Sequence, residues 1–307
     1  MKILITGGLG FIGAHLANAL SNHDITILDK YDLNYIGFAK IYRGQVEGIV
    51  PISEIEEKHR KLNVQYRISL IKNINIIRKW SFEYLPTDYF DLIINCGSLS
   101  EAILSKFFGE FCHNSIVESY KNIKATYSCP TIHISSSMVY GSWEGKITEL
   151  STLNPVDYYG ICKAKAEGFI DENDIVLRPI HVYGIGDAKF PIWMNIERQI
   201  NKNQPVNVEA ADCIYIDDFV QIIKNILDSW KPGIYNISSN YIRNGKDLQK
   251  VYPKHFKIKE KLGPTGKSRG SLNSSKLFET FNVKLQYNNY LETIQDYYNK
   301  YENLCKK

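Results

Sequence analysis

Apolar positions along this chain alternate between two patterns. Short, near-continuous runs rich in β-branched residues recur at Lys2–Thr6, Ile25–Asp29, Asp91–Asn95, Thr131–Ser135, Asp174–Pro179 and Gly233–Ser238. Between them, apolar residues recur at helical spacing over 12–20, 115–127 and 158–171. A strand covered on both faces reads as an unbroken apolar run, and a helix must follow it to return the chain for parallel pairing. The pattern predicts an α/β fold with a doubly wound parallel sheet. Residues 31–80 are aromatic and polar, with no clear pattern until NINIIRKW, and residues 253–275, basic and rich in Gly and Ser, predict a surface loop. No linker divides the chain. A boundary near residue 180 is expected, with the sheet in 1–180 and a smaller lobe mainly in 181–307, from which some segments return to the sheet.

Composition narrows the partners. The net charge of +4, from 37 basic and 33 acidic residues, is too balanced for a nucleic-acid partner and mildly favours an anionic small molecule. Six scattered cysteines without a C-x-x-C pair read as free thiols in a reducing compartment. MKILITGG is too short of apolar residues for a signal peptide, and no run reaches membrane-spanning length. A cytoplasmic chain is expected, with no membrane association and no use for the sequons at Asn236 and Asn273. No His/Cys set has metal-ligand spacing; His15, His133 and His255 read as structural or solvated.

The candidate chemistry begins at ITGGLGFIGAHLANAL. Gly7, Gly10 and Gly13 follow the first strand and open a helix. In that setting the first glycine makes the turn, the second lets the backbone approach a pyrophosphate and the third lets the helix pack against the strand. The helix start adds unpaired N–H groups and the positive end of a dipole. Asp29 ends the second strand and can accept the adenosine ribose hydroxyls; a 2′-phosphate would meet a like charge there, which favours NAD over NADP. Lys30 beside it softens that preference.

Tyr159 and Lys163 stand four apart, on one face of a helix. A phenol ionises near pH 10, too high for a base at neutral pH, and an ammonium nearby favours the phenolate. Tyr158 lacks a lysine at that interval. TIHISSSMVYG is a buried-looking strand ending in three serines. A hydroxyl there can bond a substrate oxygen, and a plain serine-rich turn reads equally well.

TGGLGFIG, an Asp closing the second strand, SSSMVYG, YYGICK and LRPIHVYGIGD occur in this order. The chain thereby resembles the extended short-chain dehydrogenase/reductases, specifically the NAD-dependent nucleotide-sugar epimerase/dehydratase group, from residue 1 to about 300 and patchily over 31–80. The resemblance implies a Rossmann-type domain with a substrate-binding lobe, NAD as cofactor and a nucleotide-sugar substrate. It casts Ser136 as the catalytic hydroxyl and Tyr159 as the acid/base. Lys163 would hold the nicotinamide ribose and lower the phenol pKa, and Asn114 would complete a proton relay. Phe11 and Ile12 within the glycine motif, the loop Cys96, Gly97, Ser98, and Pro179 would meet the cofactor, and Ser137 and His181 the substrate. Asp217 and Asp218 in DCIYIDDFV are expected to cap a helix. A homodimer through the helices bearing Phe107, Phe108, Phe111 and Ile170 is also implied, although a plain core explains those residues equally.

Departures from the pattern sharpen the reading. Members that dehydrate the sugar carry an acidic pair just after the catalytic hydroxyl, where this chain has Ser137 and Met138, so 4,6-dehydration is demoted. His181 replaces a common Asn, and Ala211 takes the usual place of a diphosphate-binding Arg. Either another cation replaces it, with Arg269 and Lys267 as candidates, or the substrate lacks a diphosphate. No acidic residue follows the third strand to meet adenine. GPTGKS at 263–268 is not a P-loop, because that spacing requires Gly where Lys261 stands. The expected activity is C4 epimerisation of a nucleotide-activated sugar. The alternatives are reduction of a 4-keto nucleotide sugar, or a non-catalytic cofactor-binding scaffold or sensor.

Overall fold

A computed structural model describes residues 1–30, 54–99, 105–143, 145–187, 192–209, 211–261 and 271–306. Its centre is a sheet of strands β1 (Lys2–Thr6), β2 (Asp24–Leu28), β3 (Asn75–Ile77), β4 (Leu92–Asn95), β5 (Thr131–Ile134), β6 (Ile175–Pro179) and β7 (Gly233–Ile237). Their spatial order is β7-β6-β5-β4-β1-β2-β3, with every pair parallel. The chain runs outward from β1 to β3, then crosses back to β4 and runs the other way. Strand order therefore reverses between β1 and β4, which opens a crevice at the carboxyl ends there.

The helices are α1 (Phe11–Ala19), α2 (Glu54–Leu70), α3 (Gly109–His113), α4 (Ser119–Thr126), α5 (Tyr158–Glu167), α6 (Ile192–Asn201), α7 (Ile216–Asp228), α8 (Gly245–Val251), α9 (Ser275–Thr280) and α10 (Tyr290–Cys305). On one sheet face Ile3, Ile5, Ile27 and Ile94 meet Leu16 of α1 and Phe219, Ile222 and Ile226 of α7. On the other, Leu4, Leu28 and Ile93 meet Tyr120 and Ile123 of α4 and Cys162 and Ala166 of α5. Both faces being dry explains the unbroken apolar runs, and each fully buried Ile or Leu contributes about 1.5–3 kcal/mol.

A second core gathers Tyr183, Trp193, Tyr215, Tyr290 and Tyr297. Here His181–Tyr183 pairs with Cys213–Tyr215, and Val206–Glu209 with Ile258–Lys261. Among the described residues no helix is long and apolar enough to cross a membrane. All six cysteines are unbonded.

Three expectations need correction. Within 31–80 stands α2, which shows little helical periodicity because the face it buries is mostly polar: His59, Arg60, Asn63 and Arg67 are buried with only Val64 fully apolar among them. Asn63 Oδ1 accepts from Gly186 N at 2.7 Å, and His59 stacks on Tyr301 and meets Glu197 at 2.9 Å. The stretch 253–275 is not all loop, since Ile258–Lys261 and Ser271–Leu272 are strands. The helix expected at 158–171 ends at Glu167.

Asp217 and Asp218 do not cap α7, whose N-cap is Tyr215 without a side-chain bond. Asp217 binds Lys300 Nζ at 2.6 Å, and Asp218 accepts from Gln286 N at 2.6 Å, so both tie α7 to the C-terminal segment. Burial pushes the Asp218 carboxyl from 3.8 up to about 6. The folded state therefore binds this proton more tightly than the unfolded chain, and the stability it contributes is lost as pH rises from about 4 through 6. Thermal melts of Asp218→Asn should show a smaller loss of Tm between pH 5 and 7 than wild type; equal losses would contradict the assignment.

Candidate active site

The bend after β1 is built for close approach. Gly7 takes φ +65°, and a Cβ there would stand 2.7 Å from Gly97 Cα. A Cβ on Gly13 would run into the Gly7 carbonyl oxygen, so α1 sits tight against the turn. Gly7 N donates to Leu28 O at 2.9 Å, and Gly10 N to Gly7 O at 3.0 Å. Gly10 is the N-cap of α1, with no side-chain cap and no acidic residue in the first turn, so the N–H groups of Phe11, Ile12 and Gly13 face the crevice without a carboxylate. A bare helix start on a glycine turn at a switch point fits a dinucleotide pyrophosphate.

Asp29 is buried at the end of β2, and its Oδ2 accepts from Leu9 N at 3.0 Å, so this carboxylate braces the glycine turn. Lys30 turns to the Trp80 ring, 5.5 Å from its centroid, and to Glu83 at 3.9 Å. Arg78, a basic residue, directly follows β3.

Beneath the turn a polar ladder crosses the sheet. Gly97 N donates to Thr6 Oγ1 at 3.2 Å, Thr6 Oγ1 to Asn95 Oδ1 at 2.6 Å, and Asn95 Nδ2 to His133 Nδ1 at 3.0 Å. In this ladder His133 Nδ1 is an acceptor. Burial first, and the Lys163 charge second, hold its pKa well below the ordinary value, so the ring is neutral. The ladder fixes the height of the loop Cys96, Gly97, Ser98 under the crevice. Burial pushes the Cys96 thiol up to about 12, which leaves it protonated and inert.

Ser136, Tyr159 and Lys163 come together at the carboxyl end of β5. Ser136 caps the 3₁₀ turn Ser137–Tyr140, its Oγ accepting from Met138 N at 3.2 Å. Asp157 caps α5 through Gly160 N at 2.8 Å, which starts the helix so that Tyr159 faces the crevice wall. Lys163, one turn on, donates to Ile134 O at 2.7 Å, with its ammonium 5.8 Å from the Tyr159 ring centroid. Burial pushes the phenol above its ordinary value, and the Ser136 hydroxyl pulls it back. In this state the phenol is protonated. Burial is the largest influence on the phenol, so the lowering expected from the Tyr159–Lys163 pair does not appear.

Asn114 opens a π-helical turn, Asn114–Glu118, between α3 and α4, on the flank of α5. Its wide turn breaks the regular hydrogen-bond ladder beside Tyr159. Pro179 ends β6, with His181 two residues on, and Ser137 is buried beside Ser136. Arg269 and Lys267 lie outside the described residues.

Behind Ser136, Tyr159 and Lys163 lies a buried clamp that sequence spacing does not reveal. Arg178 Nη2 meets Glu167 Oε2 at 2.6 Å and its Nη1 donates to Tyr140 Oη at 2.7 Å. Ser135 Oγ donates to Glu167 Oε1 at 2.5 Å, and Tyr140 Oη to Asn236 Oδ1 at 2.7 Å. Glu167 thus joins the Tyr159 helix to the strand end carrying Ser136 and to the strand carrying Pro179. The signal available in sequence was Glu167 itself, at i+4 from Lys163.

The fold matches solved structures over nearly its whole length. A UDP-glucuronic acid 4-epimerase from Bacillus cereus, in complex with UDP-glucuronic acid and NAD, superposes with a TM-score of 0.77 at 20% identity, over 99% of this chain and 100% of that one. A UDP-N-acetylglucosamine 4-epimerase from Methanobrevibacter ruminantium gives 0.76 at 15% identity, over 98% of each chain. By sequence, a dTDP-D-glucose 4,6-dehydratase of Dictyostelium discoideum is 25% identical over 288 residues, 81% of this chain. The match spans 61% of that relative, less than two thirds of its length. An uncharacterized UDP-glucose epimerase of Bacillus subtilis is 26% identical over 78% of this chain and 76% of its own. A family profile matches residues 3–238, and on the strength of that match the chain belongs to the NAD dependent epimerase/dehydratase family.

Proposed function

We propose that this chain is an NAD-dependent 4-epimerase of a nucleotide-activated sugar. The observation that carries the reading is the meeting of Ser136, Tyr159 and Lys163 beside the glycine turn, with Ser137 and Met138 where a dehydratase needs carboxyl chemistry. Gly7–Gly13 would hold the pyrophosphate, Asp29 the adenosine ribose, and Lys163 the nicotinamide ribose. Bound NAD supplies a site that takes a hydride from the sugar carbon and gives it back. Tyr159 Oη takes the proton of the sugar hydroxyl as the C–H bond breaks, and Ser136 Oγ steadies the same oxygen. To accept that proton Tyr159 has to enter the cycle as the phenolate, its own proton released to solvent, and the Lys163 ammonium 5.8 Å from the ring centroid favours that form. As the hydroxyl is remade on the inverted carbon, Tyr159 Oη would give the proton back and return to the phenolate, so the protein ends unchanged.

The nucleotide-sugar epimerases of like fold support this reading, and the dehydratases of like sequence are set aside on Ser137 and Met138. The same reading takes the chain as a homodimer through α5 and its neighbours, with Phe107, 48% exposed just before α3, in the interface. Phe111, by contrast, packs on Trp80 at 5.1 Å. The test is incubation with UDP-, dTDP-, CDP- and GDP-hexoses, followed by NMR. A 4-epimer from one of them is expected, with NAD copurifying. A 4-keto-6-deoxy product, or no turnover of any sugar, would overturn the proposal.

A further inference from the structure

Ala211 leaves open which cation meets the substrate anion, and the strand pairing around it identifies one. Arg243 N donates to Ala211 O at 3.1 Å, and the adjoining residues Asp212 and Ile242 form an antiparallel bridge. Ala211 and Arg243 are therefore directly opposed, and opposed residues of an antiparallel pair send their side chains to the same face. A long cationic side chain leaves the surface at the point where Ala211 offers only a methyl group.

Among the described residues that cation has no counter-ion. Lys300 sits between Asp217 and Asp296, Arg178 against Glu167, and Lys124 against Asp171 and Asp174. Arg243 is half-buried, and among the described residues its guanidinium has no ion-pair partner and its buried Nε has no acceptor. A guanidinium partly withdrawn from water in this way is unfavourable until an anion arrives. Its charge is felt locally: burial pushes the Cys213 thiol up to about 12, with Arg243 the leading pull against it.

The position suits one anion. The Cys213–Tyr215 strand lies beside His181–Tyr183, which begins two residues after Pro179. Arg243 stands beyond it, two strand spacings or roughly 10 Å from the segment that leaves the reacting end of the crevice. We propose that Arg243 binds the diphosphate of the nucleotide-sugar substrate, supplying from the neighbouring segment the cation that Ala211 does not. The inference rests on the reading above that the substrate is a nucleotide-activated sugar. A guanidinium matches phosphate oxygens two at a time, so it would orient the diphosphate as well as attract it.

Calorimetric titration of UDP, dTDP, CDP and GDP and of their nucleosides, uridine, thymidine, cytidine and guanosine, into the NAD-loaded protein tests this. Wild type should bind one diphosphate more tightly than its nucleoside. Arg243→Ala should weaken that diphosphate on the order of 10- to 100-fold, leave the nucleoside unchanged, and retain NAD. Arg243→Lys should recover part of the loss, and Arg243→Gln, closer in size, serves if the alanine variant loses NAD. Equal diphosphate affinity in wild type and the variants would overturn the inference alone, as would equal losses of diphosphate and nucleoside. A wild type that holds NAD but binds none of the four diphosphates would overturn the nucleotide-sugar reading, and this inference with it.

Discussion

Tyr159→Phe should lower turnover roughly a thousandfold or more while NAD binding stays at the wild-type level. The change removes a single oxygen. The ring keeps its buried seat on α5, and the Asp157 cap that starts the helix is untouched. What is lost is the group proposed to take and return the substrate proton, and its neighbours do not replace it: Lys163 Nζ is bonded to Ile134 O, and among the described residues Ser136 Oγ has no basic partner. Steady-state rates on whichever nucleotide sugar turns over, together with absorbance of cofactor released on denaturation, check both halves. A variant within tenfold of wild type would remove Tyr159 from the chemistry.

Glu167→Ala should destabilise the protein by about 3–5 kcal/mol, because it strands the Arg178 guanidinium in a dry site. Both members of the pair are nearly inaccessible, at 3% and 5% side-chain exposure, so solvent does not screen the loss. Ser135 Oγ loses its acceptor at the same time. Replacing both charges with apolar residues of similar volume, Glu167→Met with Arg178→Met, should recover much of that stability, since the stranded charge and not the missing attraction is the larger penalty. Urea titrations of the single and double variants measure this directly. If the double variant is no more stable than Glu167→Ala, the penalty lies elsewhere.

Legibility in the sequence followed the physics of each feature. The strands around Ile3–Ile5, Ile25–Leu28 and Ile132–Ile134 are readable because both faces are dry and the runs are continuous. The glycine turn is readable because the need for a bare backbone is local: Gly7, Gly10 and Gly13 lie within one bend. Tyr159 and Lys163 are readable because a helix fixes the geometry of residues four apart. By contrast, α2 docks through His59, Arg60, Asn63 and Arg67, and a buried polar face has no apolar stripe to detect. The Thr6–Asn95–His133 ladder and the Glu167–Arg178 clamp each join residues from different strands or helices, so only strand order brings them together. Asp217 and Asp218 carry the composition of a helix start, yet their partners lie in a segment about seventy to eighty residues away. Arg243 is silent in sequence for the same reason, since nothing local tells that it faces Ala211.

The most direct measurement follows a hexose bearing deuterium at C4, supplied as its UDP and dTDP derivatives, through turnover by the NAD-loaded protein. Proton and deuterium NMR of the product should show the inverted C4 centre with its deuterium retained, and no net reduction of NAD. Deuterium found at C6 of a 4-keto-6-deoxy sugar, or washed into solvent from C4, would contradict the account.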